Sequence, residues 1–183
     1  MKKMLSVIGL LIVSQMALAE TVNVDLKNSY IQWTGKKITG EHTGKLYFKS
    51  ASLDLNKNEL KSGAFVVDLS TMTVEDLQGE DAAKLVGHMK NEDFFNVAKF
   101  PEAKLETTKI KKGNVSANLT IKGKTNPVKF SVKKEGDAFK GKLDFNRTKF
   151  DMVYGSGSFF KGLGDKVIHD KVELSFHIVP EKK

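Results

Sequence analysis

The sequence predicts an all-β protein of antiparallel strands in meander order, interrupted by one short helix. Three observations predict it. Apolar and polar residues alternate with period two through most of the chain beyond residue 20, the pattern of antiparallel strands with one dry and one wet face. Short clusters such as Lys112-Gly113-Asn114, Gly123 to Pro127 and Glu135-Gly136-Asp137 separate the runs and read as tight turns between consecutive strands. A single window carries helical spacing instead.

The first segment is an address rather than a structural element. Lys2 and Lys3 precede an apolar run from Met4 to Met16, and Ala17-Leu18-Ala19 follows with small residues at alternate positions. Together these read as a secretory signal peptide at 1–19, cleaved after Ala19. The run is too short for a comfortable membrane span. The expected domain is residues 20–183, exported and, in a Gram-negative cell, periplasmic. Export removes cytosolic DNA, ATP and nicotinamide cofactors from consideration.

The strands are expected near 22–34, 43–55, 59–69, 103–110, 114–122, 127–134, 138–147 and 167–178, which makes eight. Gly44, Leu46 and Phe48 share one face against Lys45, Tyr47 and Lys49. Phe65, Val67 and Leu69 repeat the pattern, as do Val115, Ala117, Leu119 and Ile121, and then Val128, Phe130 and Val132. Phe139, Leu143 and Phe145 follow, and Val172, Leu174, Phe176 and Ile178 close the series. The helix is expected at 79–90, where Ala82, Leu85, Val86 and Met89 fall on one face. Glu80 and Asp81 stand in its first turn and His88 and Lys90 in its last, matching the helix dipole. Asn91 is placed to cap a further turn through Phe95. Such strands pack as a sandwich or close into a barrel, which removes exposed edges. Periodicity does not separate a barrel filled by its phenylalanines from a hollow one.

Composition narrows the chemistry. Hydrophobic residues make up 40% and charged residues 28% of the 183, the balance of a globular chain. With no cysteine, disulfides, thiol nucleophiles, thiolate metal sites and a lipid-bearing cysteine are excluded. The formal charge is +8, yet Arg147 is the sole arginine among 30 basic residues. Planar recognition of phosphate and guanine leans on arginine, so no nucleic-acid partner is expected.

Catalytic and metal motifs fail on inspection. Gly123-Lys124-Thr125 has Asn118 where a phosphate-binding loop needs glycine. Gly162-x-Gly164 does not continue as a dinucleotide fingerprint, and Gly155-Ser156-Gly157-Ser158 is not a nucleophile elbow. His42, His88, His169 and His177 make no metal-site spacing. No catalytic or metal residue is expected. Arg147 stands out, because the parity of Phe139, Leu143 and Phe145 carries it to the dry face. A buried guanidinium needs a carboxylate, carbonyl oxygens or an anionic ligand. An internal ion pair, a bulge that turns it outward, and a ligand's polar head at the barrel wall all remain open.

Four blocks in order resemble the YceI-like family. They are Trp33-Thr34-Gly35-Lys36 with His42-Thr43-Gly44, then Leu85 to Met89 with Asp93 to Ala103, then Leu119 to Val128, then Asn146 to Phe150. Lys122, Lys149 and Asp151 depart from the family's usual residues. The resemblance implies an extended eight-stranded antiparallel lipocalin-like barrel with one helix beside it. It also implies a cavity holding a long apolar chain, such as a polyisoprenoid, an isoprenoid quinone or a fatty-acid amide. The expectation is a non-enzymatic periplasmic carrier, without cofactor apart from such a bound lipid or quinone. Trp33, Phe94, Phe95, Phe100, Phe145 and Phe150 are the expected wall, and Arg147 and Tyr154 the polar end. Transient contact with a membrane surface and oligomer formation are compatible with this. The rival readings are a stress-related periplasmic interaction module and a lipid-modifying barrel enzyme.

Overall fold

The structure, a computed structural model, describes residues 19–182. The expected signal segment therefore lies outside the described residues, apart from Ala19. The strands are β1 (Glu20–Asn23), β2 (Tyr30–Lys37), β3 (Gly40–Asn56), β4 (Glu59–Asp68), β5 (Glu102–Lys111), β6 (Asn114–Ile121), β7 (Lys124–Glu135), β8 (Ala138–Asn146) and β9 (Ile168–Ile178). The helix α1 (Gly79–Lys90) falls between β4 and β5.

From β2 to β9 each strand pairs antiparallel with the next, and β9 returns to β2 through Ile31↔Phe176 and Trp33↔Leu174. Eight strands thus close into an up-and-down barrel, so the sandwich alternative falls. The period-two sets point inward as expected. Val115, Ala117, Leu119 and Ile121 are all buried, as are Leu46 and Phe48, and Phe139, Leu143 and Phe145.

Two local expectations are corrected. The single strand expected at 22–34 is broken into β1 and β2. The Asp25 carboxylate accepts the backbone N–H groups of Lys27 at 3.1 Å and Asn28 at 3.2 Å, and the Asn28 amide at 2.7 Å. This side-chain turn competes with continued pairing. β1 pairs only with the far half of β3, from Glu20↔Leu55 to Asn23↔Ser52. The turn expected over Gly123–Pro127 is the two-residue Lys122-Gly123, with φ of 50° and 72°. Positive φ at both positions suits a hairpin that follows the strand twist. Pro127 lies inside β7 opposite Asn118, where β8 has not yet joined, since the β7–β8 pairing begins at Ser131. A residue without an N–H fits that one-sided stretch.

The two long connections, β4–β5 with α1 and β8–β9, leave the same end of the barrel, where the tight β2–β3 and β6–β7 turns also lie. At this helix end the barrel splays. β4 pairs with β3 only from Tyr47 onward. The segment after β4 fills the gap, with the N–H groups of Thr73 and Glu75 donating to the Lys45 and Thr43 carbonyls at 2.9 and 2.8 Å. α1 follows with Met89 buried and Ala82, Leu85 and Val86 half-buried, the face its spacing predicts. Asn91 accepts the Asp93 N–H at 3.0 Å and so starts the further turn.

Candidate ligand cavity

The barrel is hollow. An internal cavity of about 170 Å³ is lined by residues of all eight barrel strands, together with Met72, Met89, Phe94, Phe95, Arg147 and Met152 at the helix end. Its wall includes both Phe139 and Phe145 of β8, six residues and so about 20 Å of strand apart. The shape is a narrow channel along the barrel.

The wall is apolar because its polar groups are used elsewhere. The Trp33 indole N–H donates to the Thr73 carbonyl at 3.2 Å, and Thr107 Oγ1 accepts the Gly63 N–H at 2.8 Å. Lys104 carries its ammonium out to Glu102 at 3.5 Å. His169 is an exposed residue. Arg147 is the charged group that stays inside, with 2% of its surface exposed.

Arg147 begins a 3-10 turn, Arg147–Phe150, whose N-cap Asn146 accepts the Thr148 N–H at 2.9 Å. The guanidinium donates to three main-chain carbonyls, from Nε to His169 at 3.0 Å, from Nη1 to Met152 at 2.5 Å and from Nη2 to Ile168 at 2.9 Å. Its Nη2 also lies 3.6 Å from Asp170 Oδ1, an oxygen buried without a hydrogen bond of its own. The Phe94 ring covers the guanidinium, 5.7 Å from Cζ. Arg147 thus pins the segment after β8 to the start of β9. Burial alone would raise the Asp170 carboxyl, but hydrogen bonds from Ser156 and Ser158 and the Arg147 charge hold it below the usual carboxylate value. Of the sequence alternatives for Arg147, carbonyls and a nearby carboxylate hold it, and no bulge turns it outward.

Of the residues expected in the wall, Trp33, Phe94, Phe95 and Phe145 line the cavity, and so does Arg147, expected at its polar end. Phe100, Phe150 and Tyr154 stand outside its lining. Phe100 packs against the β6–β7 turn at Gly123. Phe150 is buried edge-on against Phe145, with centroids 5.6 Å apart, behind the wall. Tyr154 is 46% exposed and packs edge-on to His88 at 4.7 Å. It also lies 5.8 Å from Phe94, so it stands at the mouth rather than inside. All three belong to irregular segments, where strand parity has no reach. For the same reason Met72 and Met152 escaped the sequence reading.

The blocks that carried the resemblance build the mouth. The N–H of Thr43 and the His42 ring Nδ1 both meet the Asp76 carboxylate, at 2.8 and 2.7 Å. Thr43 Oγ1 donates to the Trp33 carbonyl at 2.8 Å. A Cβ on Gly44 would fall 1.9 Å from the Thr73 carbonyl oxygen, so only glycine lets this segment cross above Trp33. Lys122 Nζ donates to the Glu92 and Asp151 carbonyls at 3.0 and 3.1 Å, tying the turn after α1 to the turn after β8. Asp151 itself holds a left-handed φ of 58°.

A closed up-and-down barrel around an apolar channel is the architecture of barrels that hold small ligands. The chain belongs to the YceI-like domain family, whose model matches residues 22–179. Among curated relatives, a UPF0312 protein of Yersinia pestis is 43% identical over 53 residues, 27% of this chain and 28% of its own length. One of Enterobacter sp. is 40% identical over 50 residues, 25% of this chain and 26% of its own length. The match therefore spans about a quarter of these relatives. The crystal structure of Burkholderia cenocepacia BcnA is similar with a TM-score of 0.64 and 25% identity, covering 85% of this chain and 98% of that one. A polyisoprenoid-binding domain from Saccharophagus degradans, implicated in plant cell wall breakdown, shares the fold. Its TM-score is 0.58 at 17% identity, and the likeness covers 88% of this chain and 98% of that one.

Proposed function

We propose that this protein is a periplasmic carrier for one long apolar chain, an isoprenoid or acyl lipid or an isoprenoid quinone, held inside the barrel. The observation that carries the reading is the apolar channel with inward-facing residues from every barrel strand. A narrow channel suits an extended chain better than a compact ring system. Each methylene removed from water contributes about 0.8 kcal/mol, so roughly ten of them are enough to offset ordering costs and give micromolar binding. Met72, Met89 and Met152 line the helix end, and their unbranched thioethers adapt to an irregular guest. Arg147 marks the polar end of the channel. Three of its five N–H groups are bound to carbonyls, which leaves donor capacity for a quinone or phosphate oxygen. The similarity to a polyisoprenoid-binding domain supports the ligand class, and the sequence of residues 1–19 supports export.

The test is native mass spectrometry of protein isolated from the periplasm, with the small molecules released on denaturation extracted and weighed. A stoichiometric adduct with an isoprenoid or acyl mass pattern is expected. A bare protein mass that persists after incubation with quinone and polyprenol overturns the carrier reading.

A further inference from the structure

The largest exposed apolar side chains cluster at the mouth of the barrel. Phe159 is 59% exposed, Phe160 47% and Ile38 61%. Ile38 belongs to the β2–β3 turn, and its N–H donates to the Val167 carbonyl at 3.2 Å. The Val167 side chain in turn covers Gly157, which brings the turn against the loop that carries both phenylalanines. Tyr154 precedes them in that loop and packs on Phe94, a wall residue. The apolar surface thus continues outward from the cavity.

The rings are held out by an anchored turn. The N–H groups of Phe159 and Phe160 both donate to the Ser156 carbonyl, at 3.1 and 2.9 Å. Ser156 is fully buried, and its Oγ accepts the Ser158 N–H at 3.2 Å. Ser158 Oγ donates to Asp170 at 2.6 Å, beside Arg147. A loop fixed at its base and apolar at its tip keeps its rings in water at a cost that a binding surface removes.

Exposed lysines flank the rings. Lys37, Lys161 and Lys166 make no ion pair among the described residues. Asp165 is the sole acidic residue between Tyr154 and Val167. Aromatic tips amid unpaired cations match a bilayer interface with anionic headgroups. A second copy of the chain fits poorly, because a symmetric contact would set the same cationic cluster against itself.

We propose that the 154–167 loop and the β2–β3 turn form a docking surface for an anionic lipid bilayer, through which the apolar ligand enters the barrel. The entry step rests on the carrier reading above, and the docking surface does not.

The experiment is co-sedimentation with vesicles of phosphatidylethanolamine and phosphatidylglycerol, against vesicles of phosphatidylcholine alone. It compares wild type with F159S/F160S and with K37S/K161S/K166S, all carrying the same N-terminus, so that the differences read this surface. The phenylalanine pair is expected to weaken binding at least about tenfold. Each lysine contributes about fivefold, and raising salt from about 0.1 M to about 1 M is expected to mimic their loss. K129S/K133S/K142S, on the barrel side, is expected to bind like wild type. Equal sedimentation of wild type and both loop variants overturns the docking surface. So does a wild-type dimer in solution that F159S/F160S dissolves. Quenching of Trp33, the single tryptophan, by decyl-benzoquinone without vesicles reads the cavity separately. Unchanged Trp33 emission together with loop-dependent sedimentation supports the surface and removes a quinone as the channel's ligand.

Discussion

Arg147 concentrates the energetic risk of this fold in one side chain. A guanidinium taken out of water is tolerated only where its donors are met, and here three carbonyls meet them with Asp170 nearby. Truncation leaves those carbonyls and a buried carboxylate oxygen unpartnered together. Arg147→Met is expected to lower unfolding stability by about 3–5 kcal/mol in urea titrations, and adding Asp170→Asn to restore part of the loss. The Asp170 carboxyl also sets a pH dependence. Its value in the fold lies below the ordinary 3.8, so its contribution is complete above that pH and is lost as pH falls through the depressed folded value. The urea midpoint of wild type is expected to drop in that acid range, and Asp170→Asn to show a smaller drop there.

At the scale of elements, the crossing of the 72–76 segment over the barrel mouth depends on contacts between residues distant in sequence. Gly44 lets the Thr73 carbonyl reach the Trp33 indole, and Asp76 holds His42 and Thr43. Gly44→Ala pushes a methyl into that carbonyl. It is expected to cost about 1–3 kcal/mol and to shift Trp33 emission as the indole loses its partner, both measurable in one denaturation series followed by fluorescence. The strands themselves were readable because each one has a wet and a dry side. The helix was readable from one apolar face and the charges at its ends. The break between β1 and β2 was not, because Asp25 satisfies neighbouring N–H groups with its own side chain without disturbing the apolar pattern around it.

For the whole molecule, the proposed carrier role rests on closure and hollowness. The ring closes where β9 meets β2, and the channel is what the inward side chains leave unfilled. Filling it is a direct test. Ala103 is buried and faces the cavity. Ala103→Trp is expected to cost about 1–3 kcal/mol of stability from overpacking while reducing lipid retained in native mass spectra by at least about tenfold. Leu119→Ala enlarges the same space and is expected to cost about 2–5 kcal/mol while leaving the lipid bound.

Residues 20–183 by themselves determined the strand pattern, the helix and the inward set of apolar residues, because each follows from a local period that burial imposes. Arg147 was legible as an inside residue by the same parity. Which loop residues face the channel was decided only in three dimensions. Phe94 and Phe95 reach it while Phe100, Phe150 and Tyr154 do not, since a turn carries no period to count along. The empty space itself was likewise a property of the closed barrel. A row of inward phenylalanines reads the same in a filled interior and a hollow one, and only the distance between opposite walls separates the two.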